Sequence, residues 1–252
     1  MKNPLKEKLK KGEAVIGTFV SIGHPDITER ISRLGFDWLV LDSEHGTLSY
    51  ETMKGMMQSM GGSSCIPIVR PQWNDFVVIK RVLDIGAYGV LVPWVNSKEE
   101  AEMAVKACKY PPEGIRGFAG RRAQKFDPDY FKTANDEILI AVQVETPKAI
   151  ENLGEILSVP GVDVCYVGPS DLSCNLGFGM PPKWNEPRYL EAFDQVLATA
   201  KQCGKPAGMF ATFDNIDWAL EKGFIFNTVG SAESFMVQGA QMALAKTRGA
   251  VK

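Results

Sequence analysis

Cysteine is scarce in this sequence and badly spaced for a structural role: Cys65, Cys108, Cys165, Cys174 and Cys203 are odd in number, scattered and without a CxxC pair. That pattern argues against a disulfide framework and against a zinc knuckle. It leaves most of them as small buried hydrophobes, with Cys174, in a loop, the one expected at the surface. Basic charge has no surplus either. The 28 Lys and Arg stand against 30 Asp and Glu, a net charge of −2, so nothing marks a footprint for a phosphate backbone, and a small-molecule partner is expected rather than nucleic acid. No apolar run approaches the ~20 residues of a membrane span, and the charged start MKNPLKEKLKKGEAV lacks a signal-like apolar stretch, which predicts a cytoplasmic protein.

What is present is a regular alternation. Apolar runs of β type recur at 14–20, 37–42, 65–70, 89–95, 138–145, 162–168, 205–211 and 224–231, and segments of helical period lie between them. Several of those segments stop on a glycine just before the next run, at Gly35, Gly86, Gly204 and Gly223, the usual helix terminator. Strict strand–helix alternation implies parallel strands, and eight units imply closure as an α/β (β/α)8 barrel spanning residues 1–252 as one domain. The alternative is an open doubly wound sheet, but no GxGxxG follows the first run, so a dinucleotide site is not indicated. Two connections exceed simple turns. Residues 172–185 follow a strand end and are positioned as a lid or specificity loop, whereas 110–137 precede a strand and fall nominally on the opposite face.

Chemistry gathers where the runs stop. DWLVLDSEH ends in Asp42, Glu44 and His45; CIPIVR in Arg70; ILIAVQVE in Gln143 and Glu145; and VDVCYVGPSD in Asp171, while VPWV supplies no charge. In a barrel the C-terminal strand ends form the active face, so a base, a cation and two acids point to one place. Glu145 and Asp171, on consecutive strand ends without His or Cys nearby, suit a shared hard cation such as Mg²⁺ or Mn²⁺ completed by waters and substrate. The alternative is that each carboxylate caps the helix that follows it. His45, one of two histidines with His24, has the intrinsic basicity for proton transfer near neutrality, or is a polar loop residue. Arg70 either meets an anionic substrate or pairs with Asp42 or Glu44. No lysine ends a strand and no GxSxG elbow occurs, which argues against Schiff-base and acyl-enzyme routes and leaves metal-assisted enolisation.

The motifs DSEH (42–45), VRP (69–71), LDIGAYGVLVP (83–93), KYPPEGIRG (109–117), VQVET (142–146) and VGPSDLS (167–173) together resemble the HpcH/HpaI family of metal-dependent pyruvate aldolases over nearly the whole chain. The resemblance implies His45 as base, Arg70 as stabiliser of the enolate oxygen, and Glu145 with Asp171 as ligands of Mg²⁺, Mn²⁺ or Co²⁺. It implies Gln143, Ser170 and the Asp171 backbone as the pyruvate cradle. Asp84 is then credited with raising the histidine's basicity from the nominal bottom face, through water or from another subunit, with Asp42 as the fallback. It also implies a homohexamer with a C-terminal helix exchanged between subunits, and Phe19 where tryptophan is usual. The expected reaction is reversible cleavage of a 4-hydroxy-2-oxo acid to pyruvate and an aldehyde. Oxaloacetate decarboxylation on the same scaffold and a non-catalytic 2-oxo acid binding barrel are the rivals.

Overall fold

The computed structural model describes residues 2–119 and 121–250. Chain order is α1 (Pro4–Lys10), β1 (Val15–Val20), α2 (Pro25–Ile31), β2 (Trp38–Asp42), α3 (Tyr50–Ser59), β3 (Ile66–Arg70), α4 (Phe76–Asp84), β4 (Gly89–Val92) and α5 (Lys98–Cys108). It continues with α6 (Arg121–Phe126), α7 (Tyr130–Glu137), β5 (Leu139–Val144), α8 (Pro147–Glu151), α9 (Leu153–Ser158), β6 (Val164–Val167) and α10 (Pro169–Asn175). The last elements are α11 (Pro187–Gln202), β7 (Ala207–Ala211), α12 (Ile216–Lys222), β8 (Phe226–Ser231) and α13 (Ala232–Ala250). The eight strands close in sequence order into one barrel, every neighbouring pair parallel, so the open-sheet alternative is set aside.

The strands read as unbroken apolar runs because both their faces are covered: every residue of β2, β3 and β5 is buried. Their outward side chains meet the helices in the larger apolar cluster. The inward ones (Val15, Phe19, Trp38, Val40, Ile66, Ile68, Leu91, Leu139, Ala141, Val164, Tyr166 and Phe226) fill the barrel interior. Trp38 is wholly buried and stacks on Phe226 with ring centroids 4.0 Å apart. The helices start where polar caps precede them, as where the Ser97 hydroxyl accepts from Glu100 N–H or Asp75 from Val77 and Val78. The four expected stop glycines all adopt left-handed φ, between 65° and 109°, and Gly223 is the C-cap of α12.

The N-terminal helix was not foreseen, nor were α6 and α7 within the 110–137 connection. The charged N-terminal stretch forms α1, whose Leu5 and Leu9 insert into the inner cluster and close the barrel floor, while Lys6 pairs with Asp163 and Lys8 with Asp37. The 110–137 connection stays near that lower end, as its place between α5 and β5 implies. Within it, Arg116 is fully buried; it donates to Asp84 at 2.8 Å and to the Tyr130 hydroxyl at 3.0 Å, with its guanidinium 4.5 Å from the centre of the Tyr110 ring. No helix among the described residues is long and apolar enough to cross a membrane.

Candidate active site

Strand periodicity builds the site. Side chains alternate between faces, so the positions in step with the interior residues Trp38 and Val40 on β2 continue to Asp42, and those in step with Ile66 and Ile68 on β3 continue to Arg70. On β5 the same step runs from Leu139 and Ala141 to Gln143 and then Glu145, and on β6 from Val164 to Tyr166 and Gly168. The layers below are apolar and the top layer is polar. It opens into a pocket of about 380 Å³ whose lining includes Asp42, His45, Arg70, Gln143, Ser170 and Asp171.

Arg70 and Asp42 are register partners across β2 and β3 and form a two-pronged pair, Nε to Oδ1 at 2.9 Å and NH2 to Oδ2 at 2.7 Å. A third contact runs from NH1 to Glu44 Oε2 at 3.1 Å, and the guanidinium stands 4.8 Å from the centre of the Phe19 ring. Both salt-bridge partners considered for Arg70 are therefore realised, and the side chain lines the pocket as well. Burial opposes its charge, but the Asp42 hydrogen bonds and the Asp42 and Glu44 charges outweigh it and raise its pKa. The result is a cation fixed in place before any ligand arrives.

Glu145 does not cap α8. The Thr146 hydroxyl does, accepting from Ala149 N–H at 3.0 Å, which frees the Glu145 carboxylate to turn into the barrel mouth, where the residue is 1% exposed. It accepts from the Trp94 N–H at 2.9 Å and from the Gln143 amide. Trp94 holds φ at +56°, a left-handed conformation costly for a bulky residue, so the fourth strand's contribution is a strained backbone donor rather than a charge. Gly168 is needed beside it, because a Cβ there would come within 2.5 Å of Glu145 Oε2. Asp171 lies half-buried in the first turn of α10, a helix whose N-cap Gly168 supplies no side-chain cap.

Burial pushes the Glu145 carboxyl up to about 7, against the pull of its two hydrogen bonds, and the Asp171 and Glu44 charges add to the rise. Glu44 is likewise raised to about 7, by burial first; Arg70 lowers it while Asp42 and Asp171 raise it. A carboxyl raised in the folded state stays protonated over a window, from about 4.5 to about 7, where the unfolded chain has released its proton. The folded state therefore binds more protons there, and its stability falls as pH rises. In chelator, the stability of wild type relative to Glu145→Gln is expected to drop by about 1–3 kcal/mol between pH 5 and 7.5. Denaturant titrations of the two proteins check this, and a difference that stays constant with pH contradicts it.

His45 is exposed on the loop after β2, at the pocket mouth, with Nε2 3.8 Å from Glu44 Oε2. Asp42 touches only its backbone N–H, at 3.5 Å, because the Asp42 carboxylate is engaged by Arg70. Asp84 ends α4, bonded to Arg116, and does not line the pocket. The structure thus brings together His45, Arg70, Gln143, Glu145, Ser170 and Asp171 and leaves Asp84 apart. It adds residues that the end-of-run reading passed over. Tyr166 is buried and shares a 2.5 Å hydrogen bond with Thr228, and Ser21 donates to Glu233 at the start of α13. Both fall on inward positions of β6 and just past β1, which strand parity alone could have flagged.

A family model described as HpcH/HpaI aldolase/citrate lyase matches residues 15–238. The chain belongs to that family. It is 38% identical over 251 residues to the 4-hydroxy-2-oxo-heptane-1,7-dioate aldolase of Klebsiella pneumoniae subsp. pneumoniae, covering 98% of this chain and 94% of that protein. A crystal structure of an HpcH/HpaI aldolase/citrate lyase family protein from Burkholderia cenocepacia J2315 superposes with a TM-score of 0.93 at 31% identity, covering 98% of this chain and 100% of that one. The citrate synthase SbnG is similar at a TM-score of 0.84 and 27% identity, covering 97% and 98%. The relatives named as aldolases span essentially the whole chain, and the chain is an enzyme of this aldolase family.

Proposed function

We propose that this family member is a carbon–carbon lyase that reversibly splits a 4-hydroxy-2-oxo acid into pyruvate and an aldehyde. The observation that carries the reading is one pocket at the barrel mouth where a preset guanidinium, the half-buried Asp171 and an exposed imidazole converge, with the buried Glu145 carboxylate against its Gln143 and Gly168 walls. In cleavage the C4 hydroxyl loses its proton, its electrons form the aldehyde carbonyl, the C3–C4 bond breaks, and C3 of the resulting enolate is protonated. His45 takes and returns the mobile proton, its exposure leaving it free to meet substrate. Arg70 faces the oxygen on which charge grows, and Gln143 with the Ser170 and Asp171 N–H groups in the first turn of α10 hold the pyruvate end.

The residues present fit a hard divalent cation. Glu145 and Asp171 are all-oxygen donors; among the described residues the buried Glu145 has no cationic partner and the buried Gln143 Oε1 beside it has no hydrogen bond. No cluster of three or more His, Cys, Asp or Glu arranged to hold a metal occurs among the described residues, so Glu145 and Asp171 would need waters and substrate to complete a coordination shell. When bound there, Mg²⁺, Mn²⁺ or Co²⁺ supplies Lewis-acid polarisation of the 2-oxo group.

Activity is expected to vanish in EDTA and return on adding Mn²⁺, Co²⁺ or Mg²⁺, and borohydride with pyruvate is expected to trap nothing. Release of pyruvate from a 4-hydroxy-2-oxo acid, followed in a coupled assay, measures the first; mass spectrometry of the treated protein measures the second. A lysine adduct together with chelator-insensitive turnover would show the reading to be wrong. The same proposal takes the chain as one cytoplasmic barrel domain in a homo-oligomer, the homohexamer that the family resemblance implies. Its support is α13, whose Met236, Val237, Met242 and Leu244 are exposed, an apolar surface suited to exchange with a partner. Asp84, bonded to Arg116 away from the pocket, would act on the histidine through water or from such a partner.

A further inference from the structure

Beside the pocket just described lies a second chamber of about 580 Å³, and the two share Pro169, Ser170 and Phe210 as walls. The chamber sits on the same face, between the loops that follow β6 and β7, with Pro181, Pro182, Trp184, Leu190 and Trp218 around it. Trp184 and Trp218 pack edge to face at 5.6 Å and give it an aromatic side, and Phe210 stands 5.6 Å from the Phe19 ring of the first pocket. Two of its polar side chains engage each other: Asn215 Oδ1 accepts from both the Thr212 N–H, at 2.7 Å, and the Thr212 hydroxyl, at 3.2 Å. The charged side chain on its wall is Asp214, and no lysine or arginine lines it among the described residues. Lys222, which approaches the Trp218 ring, is held by Asp194 at 2.6 Å.

Resting on the lyase reading above, we infer that this chamber receives the tail of the acceptor aldehyde, and that the acceptor class is uncharged aldehydes with aliphatic or aromatic tails. The relatives' name implies a different partner: cleaving a 4-hydroxy-2-oxo-heptane-1,7-dioate between C3 and C4 yields, beside pyruvate, a four-carbon aldehyde that ends in a carboxylate. Here such a carboxylate would enter an apolar space with no cation to meet it and with Asp214 at the rim, an uncompensated desolvation. An alkyl or aryl tail instead leaves water for Trp184, Trp218 and Leu190.

The test is aldol addition of pyruvate by the full chain loaded with Mn²⁺, comparing kcat/KM for propanal, butanal, pentanal, hexanal and succinic semialdehyde. The expected result is a rise of about fourfold per methylene and at least about tenfold discrimination for hexanal over the semialdehyde. Trp184→Ala is expected to flatten the chain-length dependence, and Asp214→Arg, on an exposed rim position, to raise semialdehyde addition by at least about fivefold. Exchange of pyruvate's methyl protons, which needs no acceptor, reports whether each variant is folded with its first pocket intact. If Trp184→Ala loses that exchange, the Asp214→Arg result decides. Normal exchange in wild type with no dependence on chain length, or with the semialdehyde preferred, overturns the chamber assignment alone. No pyruvate exchange in wild type under any metal overturns the lyase reading beneath it.

Discussion

Arg70→Ala is expected to slow exchange of pyruvate's methyl protons by about 10²–10³-fold at saturating pyruvate, the usual worth of a preorganised donor aimed at a developing oxyanion. The magnitude follows from how the guanidinium is held. Asp42 grips Nε and NH2, Glu44 faces NH1, and Phe19 lies under the plane, so the cation is already in position when the enolate charge grows. An interaction that strengthens as charge develops belongs to the barrier, and saturating with pyruvate does not restore it. The same change leaves two buried carboxylates without their cation, which is expected to cost about 3–5 kcal/mol of stability, so a denaturation midpoint accompanies the rate. Arg70→Lys is expected to recover part of both. A lysine keeps the charge but cannot reproduce the two-pronged grip on Asp42. Exchange at the wild-type rate in the saturated alanine variant would make Arg70 a structural or binding residue.

His45→Ala is expected to lower aldol cleavage by about 10²–10⁴-fold, the range of a positioned general base, while leaving the affinity for Mn²⁺ nearly unchanged. The separation of effects comes from position. His45 is exposed at the mouth and touches Glu44, whereas Glu145 sits with Trp94, Gln143 and Gly168 deeper in the barrel and Asp171 is held in the first turn of α10. Because the imidazole carries little packing, the variant is expected to keep its fold, and titration calorimetry with Mn²⁺ checks the affinity. Cleavage at the wild-type rate would demote His45 to a loop residue.

Much of this was legible in the sequence because a barrel imposes two simple periodicities. Continuous apolar runs between helical segments placed all eight strands, and terminating glycines marked where helices stop. The polar residues at run ends are the barrel's top layer, so Arg70, Gln143, Glu145 and Asp171 could be named before any coordinates. Three features were not legible, each for a physical reason. The helix α1 has a charged, short amphipathic sequence whose two leucines gain meaning only from the open barrel floor that they fill. Trp94 acts through its main chain, and a backbone donor leaves no trace in residue chemistry. Asp84 carries a carboxylate in a recognisable motif, but its partner Arg116 lies 32 positions away in the irregular stretch that follows α5. Sequence also offered Glu145 the cap of α8, and the neighbouring Thr146 takes that place instead.

The most direct measurement is methyl-proton exchange of pyruvate in deuterated water, followed by NMR on the wild-type protein with Mg²⁺ added and then with EDTA. Broadening by a paramagnetic ion is avoided with this choice. The account predicts steady loss of the methyl signal with the ion present, arrest on chelation, and return when Mg²⁺ is restored in excess. A methyl signal that binds to saturation yet never exchanges, with Mg²⁺, Mn²⁺ or Co²⁺ alike, would contradict it and leave a barrel that holds a 2-oxo acid without acting on it.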